Sequence, residues 1–171
     1  MSPLTERVRA LMRENRRTHG EHQHTVPSPT SYPYQWFWDS CFHAIILSHF
    51  DMPAAKAELR SLVSHQYENG MIAHIRYWER GEILAFDWGP ERTSSLLQPP
   101  IIAQTVWRLF EREGDVDFLH ELYPRLVWYY EFLRETRDLR NVGLVGIVNP
   151  DESGEDNSPR FDAALGLPPL H

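Results

Sequence analysis

The chain is 171 residues long, 42% hydrophobic and 24% charged, an ordinary globular balance with enough length for one complete core. A formal net charge of −7 argues against a nucleic-acid binder, which usually presents a basic face. A single cysteine, Cys41, excludes an intrachain disulfide framework, and no segment approaches the roughly 20 apolar residues of a membrane-spanning helix.

Leu4, Val8, Leu11 and Met12 share one helical face, with Pro3 near the start and the basic run ENRR at the end, where cations suit the helix dipole. That stretch has no continuous apolar run, so no secretory signal is expected and a soluble cytoplasmic protein is the default. Residues 19–35, HGEHQHTVPSPTSYPYQ, contain three prolines and several turn formers and predict an irregular loop. The next helix is expected to begin at Asp39 or Ser40, either of which could cap it, and to run through CFHAIILSHF. Asp51 is expected to cap a third helix with Pro53 in its first turn and Ala57, Leu59, Leu62 and Val63 on its apolar side.

Asn69-Gly70 then marks a turn. Residues 71–97 show no clear period and carry Trp78, Phe86 and Trp88, which predicts a long functional loop. Pro99 and Pro100 open a helix through IIAQTVWRLFER that stops at Gly114. Asp115 starts a longer one, in which Pro124 predicts a kink or a break. Residues 141–150 predict a short strand or an extended turn. With no clear run of alternating strands, the expected fold class is all-α: helical hairpins with long aromatic-rich loops between them.

The aromatic residues are unusual. Six Trp, seven Tyr and eight Phe make up 12% of the chain, many of them beside polar residues. Aromatic faces with hydrogen-bonding neighbours suit sugar rings; base stacking is the rival use, and the net charge disfavours it. Core packing alone accounts for any single one of them.

Residues 151–162, DESGEDNSPRFD, carry Asp151, Glu152, Glu155, Asp156 and Asp162, with Gly154 and Pro159 interrupting regular helix and Arg160 as the one positive charge. Crowded carboxylates repel, so one of them tends to keep its proton at neutral pH, as a general acid must. A solvated acidic loop or a calcium-binding loop fits the composition as well, although an EF-hand's ligand spacing and terminal Glu are missing. Within it Glu152 reads as a capping group, and Asn157 and Ser158 as turn residues.

A second segment, YPYQWFWDSCFHA at residues 32–44, alternates Trp36, Phe37 and Trp38 ahead of Asp39. Asp39 could serve only as a helix cap, or could accept hydrogen bonds from sugar hydroxyls while a neighbouring Trp packs on the ring. His19, His22 and His24 lie close together, but without a paired Cys or HExxH spacing, so no metal site is expected. No cofactor is expected either: the chain has no glycine-rich phosphate loop and no GxSxG elbow.

Taken together, WFWDSCFHA and ESGEDNSPRFD, in that order with LLQPPI between them, resemble the α/α-toroid glycoside hydrolases. The nearest resemblance is to family 63 and its bacterial, mannosylglycerate hydrolase-like relatives, with the family 37 trehalases more distant. It covers roughly residues 30–165 and implies an incomplete (α/α)6 toroid acting by inversion on α-linked glucosides or mannosides. Carried onto this sequence, it implies that Asp156, in ESG-x-D-x-S, is the general acid. Asp39 would hold the sugar, with Trp38 or Trp36 walling the pocket. His74 in GMIAHIRY and Gln98 before Pro99 would make further sugar contacts, and Arg160 would set the position or charge of the acidic turn.

The resemblance also places the catalytic base far downstream of the acid, and none is identifiable before His171. About five helices are predicted, fewer than six closing hairpins require. The expectation is therefore the N-terminal part of a catalytic domain, inactive by itself. The alternative is a non-catalytic carbohydrate-binding remnant, and either way the expected partner is a carbohydrate.

Overall fold

The computed structural model describes residues 2–78, 87–88 and 92–168 apart from residue 157. Phe86, Asn157 and His171 lie outside the described residues, as does the Trp88 side chain. Helices dominate. Helix α1 (Pro3–Glu14) is capped by Ser2, whose Oγ accepts from the Thr5 amide at 3.3 Å. Helix α3 (Met52–Val63) is capped as predicted by Asp51, which accepts from the Ala54 amide at 3.2 Å. Helix α4 (Ile102–Glu113) ends at Gly114 in the left-handed conformation, and Asp115 caps α5 (Val116–Arg137) through the Phe118 amide at 3.0 Å.

Helix α2 (Phe37–Leu47) begins two residues before the expected start. Its N-cap, Trp36, makes no side-chain capping bond; Gln98 Oε1 accepts from the Trp38 amide at 3.0 Å instead. A residue 60 positions away thus caps the helix, and Asp39 stands inside its first turn. Pro124 neither ends nor breaks α5: Phe118, Leu122, Leu126, Tyr129, Phe132 and Leu133 are buried along it, and that packing outweighs one missing backbone bond.

The chain is mostly helical as expected, and two small antiparallel sheets join the helices. Strands β1 (Arg16–His19) and β2 (His22–Thr25) form a hairpin, with His19 opposite His22 and Gly20 at φ +60 in the turn. They occupy part of the segment expected to be irregular. Strands β3 (Gln35–Trp36), β4 (Ile75–Arg76), β5 (Asp87–Trp88) and β6 (Thr93–Ser94) form the second sheet in the order β3-β4-β6-β5. The presumed loop at 71–97 is thus organised by strands two residues long, too short to leave a readable period. Residues 141–147 form no strand; the Asp138 carboxylate accepts from the Val142 and Gly143 amides to hold a turn there.

Helix α2 packs mainly on α3 and also on α4, and α4 packs on α5. Phe37, Cys41, Ala44 and Leu47 from α2 meet Leu59, Val106, Leu109, Phe118 and Leu122 in one core. The Cys41 thiol is buried in it, and burial pushes its pKa up, which fits an inert packing role. Lys56 pairs with both Glu113 and Asp115, tying α3 to the α4–α5 corner. Among the described residues, no helix is long and apolar enough to cross a membrane.

A buried polar network fixes β3 against α3. Glu58 accepts from Ser40 Oγ at 2.7 Å, Gln35 Nε2 donates to Ser61 Oγ at 2.7 Å, and Trp78 Nε1 donates to Gln35 Oε1 at 2.9 Å. Burial pushes the Glu58 carboxyl up from 4.5 to about 8, with hydrogen bonds from Ser40 and Thr25 pulling the other way. Between those two pH values the folded chain keeps a proton that the unfolded chain has lost. Stability from this group is therefore greatest below about pH 4.5 and falls as pH rises towards 8. Glu58→Gln should flatten the decline in Tm between pH 5 and pH 8 measured by thermal denaturation; an unchanged slope would contradict the assignment.

Candidate active site

Folding brings the two sequence motifs together around a cavity of about 620 Å³. Trp36, Trp38, Asp39, His74, Gln98, Asp151, Gly154 and Asp156 line it, with Pro27 and Tyr32. Six of the substrate-binding and catalytic candidates therefore share one cavity. The seventh, Arg160, is not among the lining residues: it pairs with Glu155 at 3.0 Å, and its guanidinium lies 4.6 Å from the centre of the Phe161 ring. A larger hollow of about 930 Å³, between His65–Asn69 and Arg76–Trp78, contains neither motif.

Strand pairing sets the first wall. Trp36 pairs with Ile75 across β3–β4, and the Phe37 amide donates to the His74 carbonyl at 2.9 Å. The Trp36 indole consequently meets the His74 ring edge-on, with centroids 5.5 Å apart. His74 Nδ1 lies 2.5 Å from Ser94 Oγ, and burial pushes the imidazole down to about 4, so it is neutral at physiological pH. Burial raises the Asp39 carboxyl above its ordinary value, opposed by hydrogen bonds from its own backbone and the Trp38 side chain.

The acidic turn contributes Asp151, Gly154 and Asp156 to the lining. Its first part is a 3₁₀ turn (Pro150–Ser153) capped by Asn149, which accepts from the Asp151 amide at 2.9 Å. Glu152 is buried and anchors this turn. Its Oε1 accepts from the Leu97 amide at 3.0 Å and from Arg137 Nη2 at 2.9 Å, and its Oε2 accepts from the Val148 amide at 2.9 Å. The capping group expected at Glu152 is thus a clamp between three segments, because its side chain points into the fold.

Gly154 follows at φ +71, close against Trp38; a Cβ there would stand 2.4 Å from the indole. Asp151 was part of the acidic segment in sequence but was not among the predicted site residues. Burial, and then the charge of Asp156, raise its carboxyl. Its place in the same turn as Asp156 was the available signal.

The histidine cluster takes another form. His19 and His24 each stack on Trp78 with centroids 5.2 Å apart. Among the described residues, no group of three His, Cys, Asp or Glu is placed to hold a metal ion.

Residues 32–168 match the family model described as the mannosylglycerate hydrolase MGH1-like glycoside hydrolase domain. The chain belongs to this family. A mannosylglycerate hydrolase of Thermus thermophilus is 40% identical over 159 residues, covering 85% of this chain and 38% of the relative. Mannosylglycerate hydrolase MGH1 of Selaginella moellendorffii is 34% identical over 176 residues, covering 96% and 35%. A glucosylglycerate hydrolase of Mycolicibacterium hassiacum is 33% identical over 164 residues, covering 82% and 36%.

The crystal structure of a family 63 mannosylglycerate hydrolase from Thermus thermophilus, in complex with Tris and D-glycerate, superposes with a TM-score of 0.85 at 36% identity. That match covers 99% of this chain and 43% of the other. The chain thus spans little more than a third of the length of these curated relatives.

The contact between Gly154 and Trp38 gives a direct test of how the motifs fit. Gly154→Ala forces a side chain into the left-handed region and into the indole, and should cost about 2 kcal/mol or more. Urea denaturation measures it; a loss below about 0.5 kcal/mol would contradict the packing.

Proposed function

We propose that the whole gene product is an inverting glycoside hydrolase acting on α-linked glucosides or mannosides, and that these residues supply the acid-bearing part of an (α/α)6 toroidal catalytic domain. The observation that carries this reading is the meeting of Asp39, Trp38 and Asp156 around one cavity, in a chain of this family. Relatives named as mannosylglycerate and glucosylglycerate hydrolases make those two glycosides the first substrates to test.

Each residue then has a role that its position supports. The sugar ring packs on Trp38, and Asp39 accepts hydrogen bonds from its hydroxyls. Gln98 Oε1 is occupied by the Trp38 amide, so Gln98 offers its amide N–H groups to the substrate. His74 is neutral and ends the wall formed by Trp36. Arg160 acts on the turn indirectly, by neutralising Glu155.

Asp156 is exposed to the cavity and gives its proton to the glycosidic oxygen. The C–O bond breaks, the aglycone leaves as an alcohol, and Asp156 is left ionised. Water adds to the opposite face of the sugar, losing its proton to a second carboxylate about 6.5–9.5 Å from the first. We place that base outside these 171 residues, which on this reading hold sugar without hydrolysing it.

In the whole gene product, Asp156→Asn should lower kcat on the accepted glycoside by about 10²–10⁴-fold, with Tm and circular dichroism unchanged. Retention of full activity would overturn the assignment. The anomer released first, read by NMR, should be β from an α-glycoside; an α-anomer would exclude inversion.

A further inference from the structure

The larger hollow, beside β4 and β6, carries a different chemistry. Arg76 lies on β4 and Arg92 immediately precedes β6. The Tyr77 amide donates to the Arg92 carbonyl at 2.8 Å, and Arg76 pairs with Thr93, so the two arginines stand on neighbouring chains. Both guanidinium groups converge on Trp78. That of Arg76 lies 3.4 Å from the centre of an indole ring, and Arg92 Nη1 donates to the Trp78 carbonyl at 3.3 Å. Both side chains line the hollow of about 930 Å³.

Holding two like charges together is costly. Arg76 Nη1 donates to Ser64 Oγ at 2.8 Å, while its Nε is buried without a hydrogen-bond partner among the described residues. Burial, and then the charge of Arg92, pull the Arg76 guanidinium down from 12.5 to about 9, so it is still charged at neutral pH. His65 lines the same hollow and is lowered by burial and then by the charge of Arg76. Glu68 also lines it, but is exposed to solvent, which weakens its hold on either arginine.

The backbone supplies an independent observation. Arg92 stands at φ +55, in the left-handed region that glycine adopts freely and other residues adopt at a cost. That strained position carries the guanidinium that meets Trp78 beside Arg76.

We infer that Arg76 and Arg92 form a binding site for a phosphate-class dianion, outside the cavity of the two sequence motifs and independent of the glycosidase reading. Two guanidinium groups match the charge of one dianion, and a phosphoryl group has acceptor oxygens for donors from both. A carboxylate, with one charge and two oxygens, leaves one guanidinium uncompensated. Free phosphate and a phosphate monoester share this chemistry. Occupancy ties β4 to β6 next to Ile75, the residue that pairs with Trp36.

The test is calorimetric titration of the whole gene product with inorganic phosphate and with glucose 6-phosphate, at about pH 7.5 and a constant ionic strength of about 0.15 M. Saturable binding with a Kd of about 1 mM or tighter is expected for at least one of them. Binding of inorganic phosphate assigns the site to the free ion; binding of the ester alone assigns it to a phosphorylated metabolite. Arg76→Gln and Arg92→Gln should each weaken binding about tenfold or more. Arg60→Gln, whose guanidinium is paired with Glu121 at 2.6 Å, should leave it within about twofold. Arg92→Gly removes the guanidinium and relieves the backbone, so binding should be lost while Tm without phosphate is equal or higher. Absence of saturable binding by either compound, binding unaffected by Arg92→Gly, or displacement of phosphate by D-glycerate of equal affinity would each overturn the inference. None of these outcomes bears on Asp156.

Discussion

The site depends on one buried carboxylate. Glu152 reaches out of the acidic turn and is held by a guanidinium from the end of α5 and by two backbone amides, one of them from Leu97. A buried charge is tolerable when it is paired and its lone pairs are filled, and Glu152 has both. The residue after Leu97 is Gln98, whose side chain caps α2 at Trp38. One chain of bonds therefore runs from α5 through the acidic turn to the start of α2. It is this chain that holds Asp156 and Asp39 in the lining of one cavity.

Glu58 is the instructive contrast. It is as deeply buried but has hydroxyl donors rather than a guanidinium, and burial pushes its carboxyl up to about 8. Glu152 locks an acidic turn in place by satisfying a charge. Glu58 holds β3 and α2 against α3 through a polar network whose charge is disfavoured. Both supports lie behind the aromatic motif or the acidic turn, so the cavity wall is set from the interior. The indole of Trp38 and the missing side chain of Gly154 complete the fit from the front.

Much of this was legible in the sequence, for identifiable reasons. The helices with local caps, at Ser2, Asp51 and Asp115, follow short-range rules that a linear reading can apply. Helix α2 does not, since its cap comes from Gln98; Asp39, assigned in part as a cap, is free of that duty. The two-residue strands around Ile75 and Thr93 escaped notice because pairing between distant segments creates them. Glu152 and Asp151 are adjacent and chemically alike in sequence; only the side-chain direction makes one a clamp and the other a cavity wall.

The chemistry proposed for this cavity makes a geometric claim about three residues and one sugar. The most direct test is a crystal structure of the whole gene product carrying Asp156→Asn with an uncleaved glycoside bound. The account predicts the sugar ring against Trp38, its hydroxyls on Asp39, and the glycosidic oxygen within hydrogen-bond reach of residue 156. A glycoside held elsewhere, or one whose leaving oxygen faces away from residue 156, would contradict it.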